Sequence, residues 1–327
     1  MTQGLAKAGV PTFYMSSPKR IFIAGHRGLV GSALVRHYEK LPEWQIITRT
    51  RDELDLRDEA AVKAFFAAEK PEYVILAAAK VGGIKANSTQ PVPFLLDNLK
   101  IQNNVIEASF ELPVRKLLFL GSTCIYPRTA PMPLREDSLL TGTMESTNIA
   151  YSIAKIAGIT LCESYRKQFG ADFITAMPAN LYGPHDNFHP EESHVLPSLM
   201  RKFHVATTQN APTVTVWGTG NPSREFMHSD DLADACAFLL DNYSGEEIVN
   251  VGCGEEIKIR EAAEVLREVT GFKGEIVWDT SMPDGNPRRL LDVTRLHSMG
   301  WRAKIPFKQG VADTYQWYRE HVAEARG

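Results

Sequence analysis

The chain has 327 residues, enough for about two domains at roughly 150 residues each. Hydrophobic residues are 44%, charged residues 23% and the net charge −3. That balance excludes a disordered chain and gives no basis for nucleic acid or an anionic membrane as a bulk partner. Cys124, Cys162, Cys236 and Cys253 include no C-x-x-C pair, and a chain this long needs no disulfide framework, so free thiols in a reducing cytoplasm are expected. No apolar run approaches a membrane-spanning length. Residues 1–18 lack the apolar stretch of a signal peptide and read as a flexible extension, with Met15 as an alternative start.

Residues 21–24 form a short apolar run that ends in glycine, the pattern of a buried parallel strand. Residues 29–40 have helical spacing and 45–48 predict a second strand. A helix over 59–69 stops before Pro71, and 73–77 predict a third strand. Residues 94–110 predict a long helix, 116–120 a fourth strand, 149–168 a helix and 172–176 a fifth strand. This alternation predicts an α/β fold, a Rossmann-type doubly wound parallel sheet. It occupies residues 19–182 and is completed by about 226–254, through a helix at 230–241 and a strand at 248–252. Beyond Tyr182 the texture changes. Residues 183–225 and 255–327, with a strand at 214–218 and a helix at 260–270, are expected to build a smaller α+β substrate lobe.

Gly25-x-x-Gly28-x-x-Gly31 follows the first strand and opens the first helix. Glycines there let the backbone approach a pyrophosphate that sits on the helix N-terminus. The second strand ends in Thr48–Arg49–Thr50–Arg51, with no carboxylate before Asp52. An NAD binder places an acid at this point. Arg27 in the glycine turn and Arg51 instead suit a ribose 2′-phosphate, so NADP(H) is expected. The pair Asp55–Leu56 reads either as an adenine contact or as a helix-start signal.

Tyr151-x-x-x-Lys155 places a phenol and an ammonium on one helix face. The ammonium is expected to lower the Tyr pKa and make the phenol a proton donor or acceptor. Ser122 follows the fourth strand at the sheet edge where such folds bind ligands. Glycine turn, strand-end Ser and downstream YxxxK together predict hydride transfer at a carbonyl. On the residues alone, Cys124 reads as a small buried hydrophobe or a reacting thiol, and Trp217 as a core aromatic or a nucleotide contact. His185, His189 and His194 read as cleft histidines, since Pro184 and Pro190 break the helix an i,i+4 metal pair needs. No metal site is expected.

With these motifs in hand, the chain resembles the extended short-chain dehydrogenase/reductases, and within them the GDP-L-fucose synthase family. The matching stretches include residues 77–83 (AAAKVGG), 121–127 (GSTCIYP), 151–155 (YSIAK), 180–188 (NLYGPHDNF), 224–226 (REF) and 283–285 (PDG). The resemblance covers nearly everything from Arg20 onward. It implies epimerisation of GDP-4-keto-6-deoxy-D-mannose at C3 and C5, then NADPH reduction at C4. It implies Ser122, Tyr151 and Lys155 at the reduction and Cys124 and His194 as the proton-exchanging pair. It implies cofactor contacts from Gly25, His26, Arg27, Gly28, Leu29, Val30, Gly31, Arg51, Asp55, Leu56, Leu120, Lys155, Asn180 and Leu181. For the GDP moiety it implies Lys202, Trp217, Arg224 and Asp284, although relatives often carry Arg where Lys202 stands. Arg288 and Arg289 read as facing phosphate or water.

The competing readings are a GDP-L-colitose synthase acting on a 3-deoxy sugar, a nucleotide-sugar 4,6-dehydratase or 4-epimerase, and a silent NADP-binding scaffold. A dehydratase tends to carry Asp–Glu where Cys124–Ile125 stands, and a scaffold has no need of Ser122, Tyr151 and Lys155 together. A second face of the 149–168 helix (Ile153, Ala157, Leu161, Tyr165), with the 94–110 helix, reads either as a homodimer interface or as a face buried within the monomer.

Overall fold

A computed structural model of the chain describes residues 17–112, 114–190 and 192–322. The expected extension, apart from Ser17 and Pro18, and the alternative start at Met15 lie outside the described residues.

The first lobe opens with β1 (Lys19–Ala24), α1 (Leu29–Tyr38), β2 (Trp44–Ile47), α2 (Glu59–Glu69) and β3 (Tyr73–Leu76). It continues with α3 (Ile84–Thr89), α4 (Pro91–Glu111), β4 (Lys116–Leu120), α5 (Ile149–Phe169), β5 (Phe173–Pro178) and β6 (Asn180–Tyr182). Helix ends follow local chemistry. Asp58 accepts from the Ala61 amide to cap α2, Pro91 starts α4 where its missing N–H costs nothing, and Gly170 at φ 71° ends α5.

The second half contains α6 (Val195–Thr208), β7 (Thr213–Trp217), β8 (Ser223–Arg224), β9 (Phe226–His228), α7 (Ser229–Asn242) and β10 (Val249–Val251). Then come β11 (Ile257–Lys258), α8 (Ile259–Thr270), β12 (Glu275–Asp279), β13 (Arg288–Arg289), α9 (Thr294–Ser298) and α10 (Phe307–Glu320).

The main sheet runs β10-β5-β4-β3-β1-β2, with every pairing parallel. The strand order reverses between β1 and β3, which opens the crevice where such sheets take a ligand. Strand β10 adds to the edge beside β5, and α7 packs on α1, so this stretch joins the main sheet and its helices.

Two hydrophobic cores separate the lobes. The first surrounds the main sheet and includes Ile21, Phe66, Leu118, Ile174 and Leu239. The second joins α6, α8 and α10 through Leu199, Phe203, Leu266, Val311 and Tyr315. Leu291, Val293, Leu296 and Trp301 pack into the first core, although the sequence division puts them in the second lobe. The Trp301 indole also donates to Asp234 on α7 at 2.8 Å.

Four helices, α3, α6, α9 and α10, were not singled out in the sequence, the last two falling in a stretch read only as part of the α+β lobe. Helix α3 is one polar turn and a half with no apolar period. Helix α6 has the period (Leu196, Leu199, Met200, Phe203) but follows a stretch dominated by proline and histidine.

Candidate active site

The glycine turn is built for close approach. Gly25 sits at φ +89°, and a Cβ there would stand 2.8 Å from the Ala78 backbone. A Cβ on Gly31 would collide with the Gly25 carbonyl. Gly28 caps α1 with no side-chain hydrogen bond, so the amides of the first turn, at Leu29 and Val30, face outward without a side-chain acceptor. A pyrophosphate fits this cradle: bare backbone, a positive helix end and no competing carboxylate.

The ribose end is also basic. Arg27 and Arg51 are exposed. His26 lies beside the Arg49 backbone and the charges of Arg27 and Glu53, so the glycine turn and the loop after β2 meet. Burial, then Arg27, pushes the His26 pKa down. Arg49 is committed to structure, pairing with Glu69 at 2.5 Å and lying over Phe65. Asp55 is gripped by Arg57 at 2.6–3.2 Å, and those bonds hold its pKa down to about 2. The Leu56 carbonyl accepts from Asn104 at 2.9 Å. Asn180 donates to the Glu225 carbonyl at 3.1 Å, and Leu181 packs against the first core.

Several residues expected to react come together at the end of β4. Ser122 caps a 3-10 turn at residues 123–125, accepting from the Cys124 amide at 3.3 Å. On α5, Tyr151 hydrogen-bonds with Ser122 and shares a small cluster with Ala86, Phe94 and Cys124. The Phe94 ring meets the Tyr151 ring edge-on at 6.4 Å. Ser152, next to Tyr151, donates to the Cys124 carbonyl at 3.2 Å. Lys155 donates to the Leu120 carbonyl at 2.8 Å and lies 4.8 Å over the Phe119 ring.

One expectation is overturned here. The Tyr151 pKa is raised, chiefly by burial and then by the Cys124 charge, with the Ser122 bond opposing. Lys155 is itself lowered to about 8 by burial. Its ammonium is spent on the Leu120 carbonyl, 6.0 Å from the Tyr151 ring centre, so it does not offset the cost of a buried phenolate.

His194 immediately precedes α6 in the second lobe. The residue is exposed, yet desolvation by the protein around it disfavours the imidazolium and moves its pKa down. His189 takes a structural part, its Nδ1 accepting from the Glu192 amide at 3.3 Å. His185 meets the Trp317 ring in a tilted contact, 4.6 Å between ring centres.

The residues expected at the nucleotide form one connected wall. Lys202 stands 5.3 Å over the Trp217 ring, and Trp217 is 62% exposed, which rules out the core-aromatic reading. Asp284 accepts from the Thr219 amide at 2.8 Å and hydroxyl at 2.7 Å; these bonds hold its pKa down and fix the turn after Trp217. Arg224 lies next along the wall, close to Gly285. It is also the register partner of Arg289 across β8 and β13. Burial and the Arg289 charge both lower the Arg224 pKa. Arg289 Nη1 is buried without a partner among the described residues. Two adjacent guanidiniums of this kind suit a diphosphate. Arg288, by contrast, is paired with Glu256. Sequence spacing could not separate the two arginines; strand alternation does.

Residues 21–252 match the family described as the NAD dependent epimerase/dehydratase family. The chain is 57% identical over 316 residues to a probable GDP-L-fucose synthase 1 of Oryza sativa subsp. japonica, covering 96% of each. It is 37% identical over 301 residues to a GDP-L-colitose synthase of Yersinia pseudotuberculosis, covering 91% of this chain and 97% of that one. A GDP-L-fucose synthetase structure from Naegleria fowleri bound to NADP superposes with a TM-score of 0.88 at 31% identity, covering 96% of this chain and 98% of that one.

Proposed function

The chain belongs to the NAD dependent epimerase/dehydratase family, and within it we propose that it converts GDP-4-keto-6-deoxy-D-mannose to GDP-L-fucose with NADPH. The observation that carries this reading is the Cys124 thiol packed beside the Tyr151 phenol, a proton-exchanging group at a hydride-transfer site. The gap between 57% and 37% identity favours the fucose reading over the colitose one.

The 4-keto group acidifies the protons on C3 and C5. Ser122 and Tyr151 hold the ketone oxygen and stabilise the negative charge that grows there when a carbon proton leaves. Cys124, from the first lobe, and His194, from the second, exchange those protons on opposite faces of the sugar. Burial lowers the His194 pKa, so its imidazole is neutral and able to take a proton near neutral pH. Tyr151, protonated because burial raises its pKa, then gives its proton to the C4 oxygen. Bound NADPH supplies the hydride to C4. The turn of Gly25, Gly28 and Gly31 would hold its pyrophosphate, Arg27 and Arg51 its ribose phosphate, and Lys155 its nicotinamide end. Asp55 and Leu56 face the adenine. Lys202, Trp217, Arg224 and Asp284 bind the GDP moiety, with Arg289 joining Arg224 at the diphosphate.

The protein acts in the cytoplasm as a homodimer. Val92 and Leu96 on α4, with Ile149 and Ile153 on α5, are 67%, 46%, 46% and 44% exposed on neighbouring helices. Such a face suits a second copy. Tyr165 is not part of it, since it packs on Phe110, Phe169 and Phe173 within the same chain. Among the described residues no helix is long and apolar enough to cross a membrane.

The test is turnover of GDP-4-keto-6-deoxy-D-mannose with NADPH in deuterated water, with the product solved by NMR. The expected product is GDP-L-fucose carrying deuterium at C3 and C5. A product labelled at C5 alone, or one with the starting configuration, overturns the reading. In the Cys124→Ser variant labelling is expected to stop while NADPH still binds.

A further inference from the structure

The two proton-exchanging groups come from different lobes, so something must set their relative position. Cys124 belongs to the first lobe and His194 to the second. Helix α3 lies between them. Ala86 on α3 packs with Phe94, Tyr151 and Cys124. One residue on, Asn87 is buried, with 7% of its surface exposed. Its side-chain amide donates to the Gly82 carbonyl at 2.7 Å and the Gly83 carbonyl at 3.1 Å.

Those glycines meet the second lobe directly. The Gly83 amide donates to the Glu192 carbonyl at 3.1 Å, two residues before His194. A Cβ at Gly83 would stand 3.2 Å from that carbonyl oxygen, so the approach is tight. On the other side, a Cβ at Gly82 would stand 3.1 Å from both the Ala86 methyl and the Phe94 ring. The run from Gly82 to Asn87 therefore touches the Tyr151–Cys124 cluster on one flank and the His194 segment on the other.

We propose that Asn87 is a positioning residue for proton exchange: its amide fixes the Gly82 and Gly83 carbonyls, and through the Gly83–Glu192 bond this holds His194 across from Cys124. The proposal rests on the assignment of His194 to proton exchange made above. Hydride transfer does not depend on this tie, because Ser122, Tyr151 and Lys155 are all carried by β4, α5 and the turn between them in the first lobe. Displacing a reacting group by about an ångström costs on the order of a hundredfold, so loss of the tie should register at C3 and C5 and spare C4.

The experiment compares two reactions in the full-length protein. The first is deuterium uptake at C3 and C5 of GDP-4-keto-6-deoxy-D-mannose. The second is oxidation of GDP-L-fucose by NADP+, which exercises hydride transfer at C4 without an inversion. Two variants are used. Asn87→Asp keeps the side-chain shape but loses both N–H donors, and Asn87→Ala removes the group. Each is expected to slow uptake at least about tenfold and to change oxidation by less than about threefold. The retained oxidation shows that the variants are folded. Combined with His194→Gln, Asn87→Ala is expected to add no further loss of uptake, because both act through one group.

Uptake at the wild-type rate in both variants overturns the proposal. So does a parallel fall in uptake and oxidation, the mark of a general structural role. Additive losses in the double variant overturn it too, because Asn87 would then act by a route other than His194. If His194→Gln alone takes up deuterium at the wild-type rate, the assignment of His194 fails first and is identified as the failure.

Discussion

Lys155 donates its ammonium to the backbone oxygen of Leu120 at 2.8 Å, at the end of the strand that leads into Ser122. The bond holds the ammonium at the end of that strand, 6.0 Å from the Tyr151 ring centre. Phenol and ammonium are thus held by different partners on one helix.

That arrangement predicts the alkaline behaviour of the reduction. Burial lowers Lys155 to about 8 and raises Tyr151, so over the working range the ammonium loses its proton first. The kcat/KM for NADPH-dependent reduction is expected to fall as pH rises through about 8. Tyr151→Phe should lower kcat by about a hundredfold to ten-thousandfold at every pH, since it removes the proton donor. Lys155→Met should be slow and should lose the limb near pH 8. A limb that persists in Lys155→Met would assign it to another group.

Cofactor choice is expected to rest on the exposed arginines. Arg51→Ala should raise the KM for NADPH about tenfold and leave that for NADH within a factor of about two, since a charge-assisted bond to a phosphate contributes about 1.5 kcal/mol or more. Arg49→Ala should instead lower thermal stability, because Arg49 is paired with Glu69. Parallel changes with both cofactors in Arg51→Ala would place the phosphate elsewhere.

The paired guanidiniums predict a binding effect. Arg289→Met should raise the KM for the GDP-sugar about tenfold or more with little change in kcat, the signature of binding lost equally from ground and transition states. It should also be more stable to heat than the parent, because one of two adjacent cations is gone. Arg288→Met, which breaks an exposed pair with Glu256, should leave KM unchanged. Steady-state kinetics and a melting curve on both variants decide this. An unchanged KM in Arg289→Met would remove it from the diphosphate site.

His228 predicts the acid limb of stability. It is 4% exposed, and its Nδ1 accepts from the Asp230 amide at 3.2 Å at the start of α7. Burial holds its pKa below the ordinary value of about 6.5. The unfolded chain therefore binds a proton at a higher pH than the folded chain. The stabilisation is complete above about pH 6.5 and is lost as pH falls toward the folded pKa. His228→Asn keeps an acceptor but cannot titrate. Its urea midpoint should be lower at neutral pH and should depend less on pH between about 6.5 and 5. An unchanged slope would assign the effect to other buried histidines.

Much of this protein was legible along the chain, because the legible parts are local. A buried parallel strand is a short apolar run, so β1, β3 and β4 announce themselves. The Gly25–Gly28–Gly31 turn and the Tyr151–Lys155 pair are set by spacing on one turn or one helix face. The exposed face of Trp217 follows the alternation of β7, where Val214 and Val216 are buried, but the pairing of Arg289 with Arg224 is not local. It depends on how two-residue strands of the second lobe meet, and such strands carry little pattern. Helix α3 was invisible for a related reason: its six residues are ordered by what packs around them.

The residues alone therefore determined the sheet, the glycine turn after its first strand and the candidate set of Ser122, Tyr151 and Lys155. Tertiary structure decided their electrostatics and alignment. Spacing put an ammonium beside a phenol, but burial and the Leu120 carbonyl decided that the phenol keeps its proton. Desolvation depends on everything packed around a group, and a one-dimensional pattern does not record that.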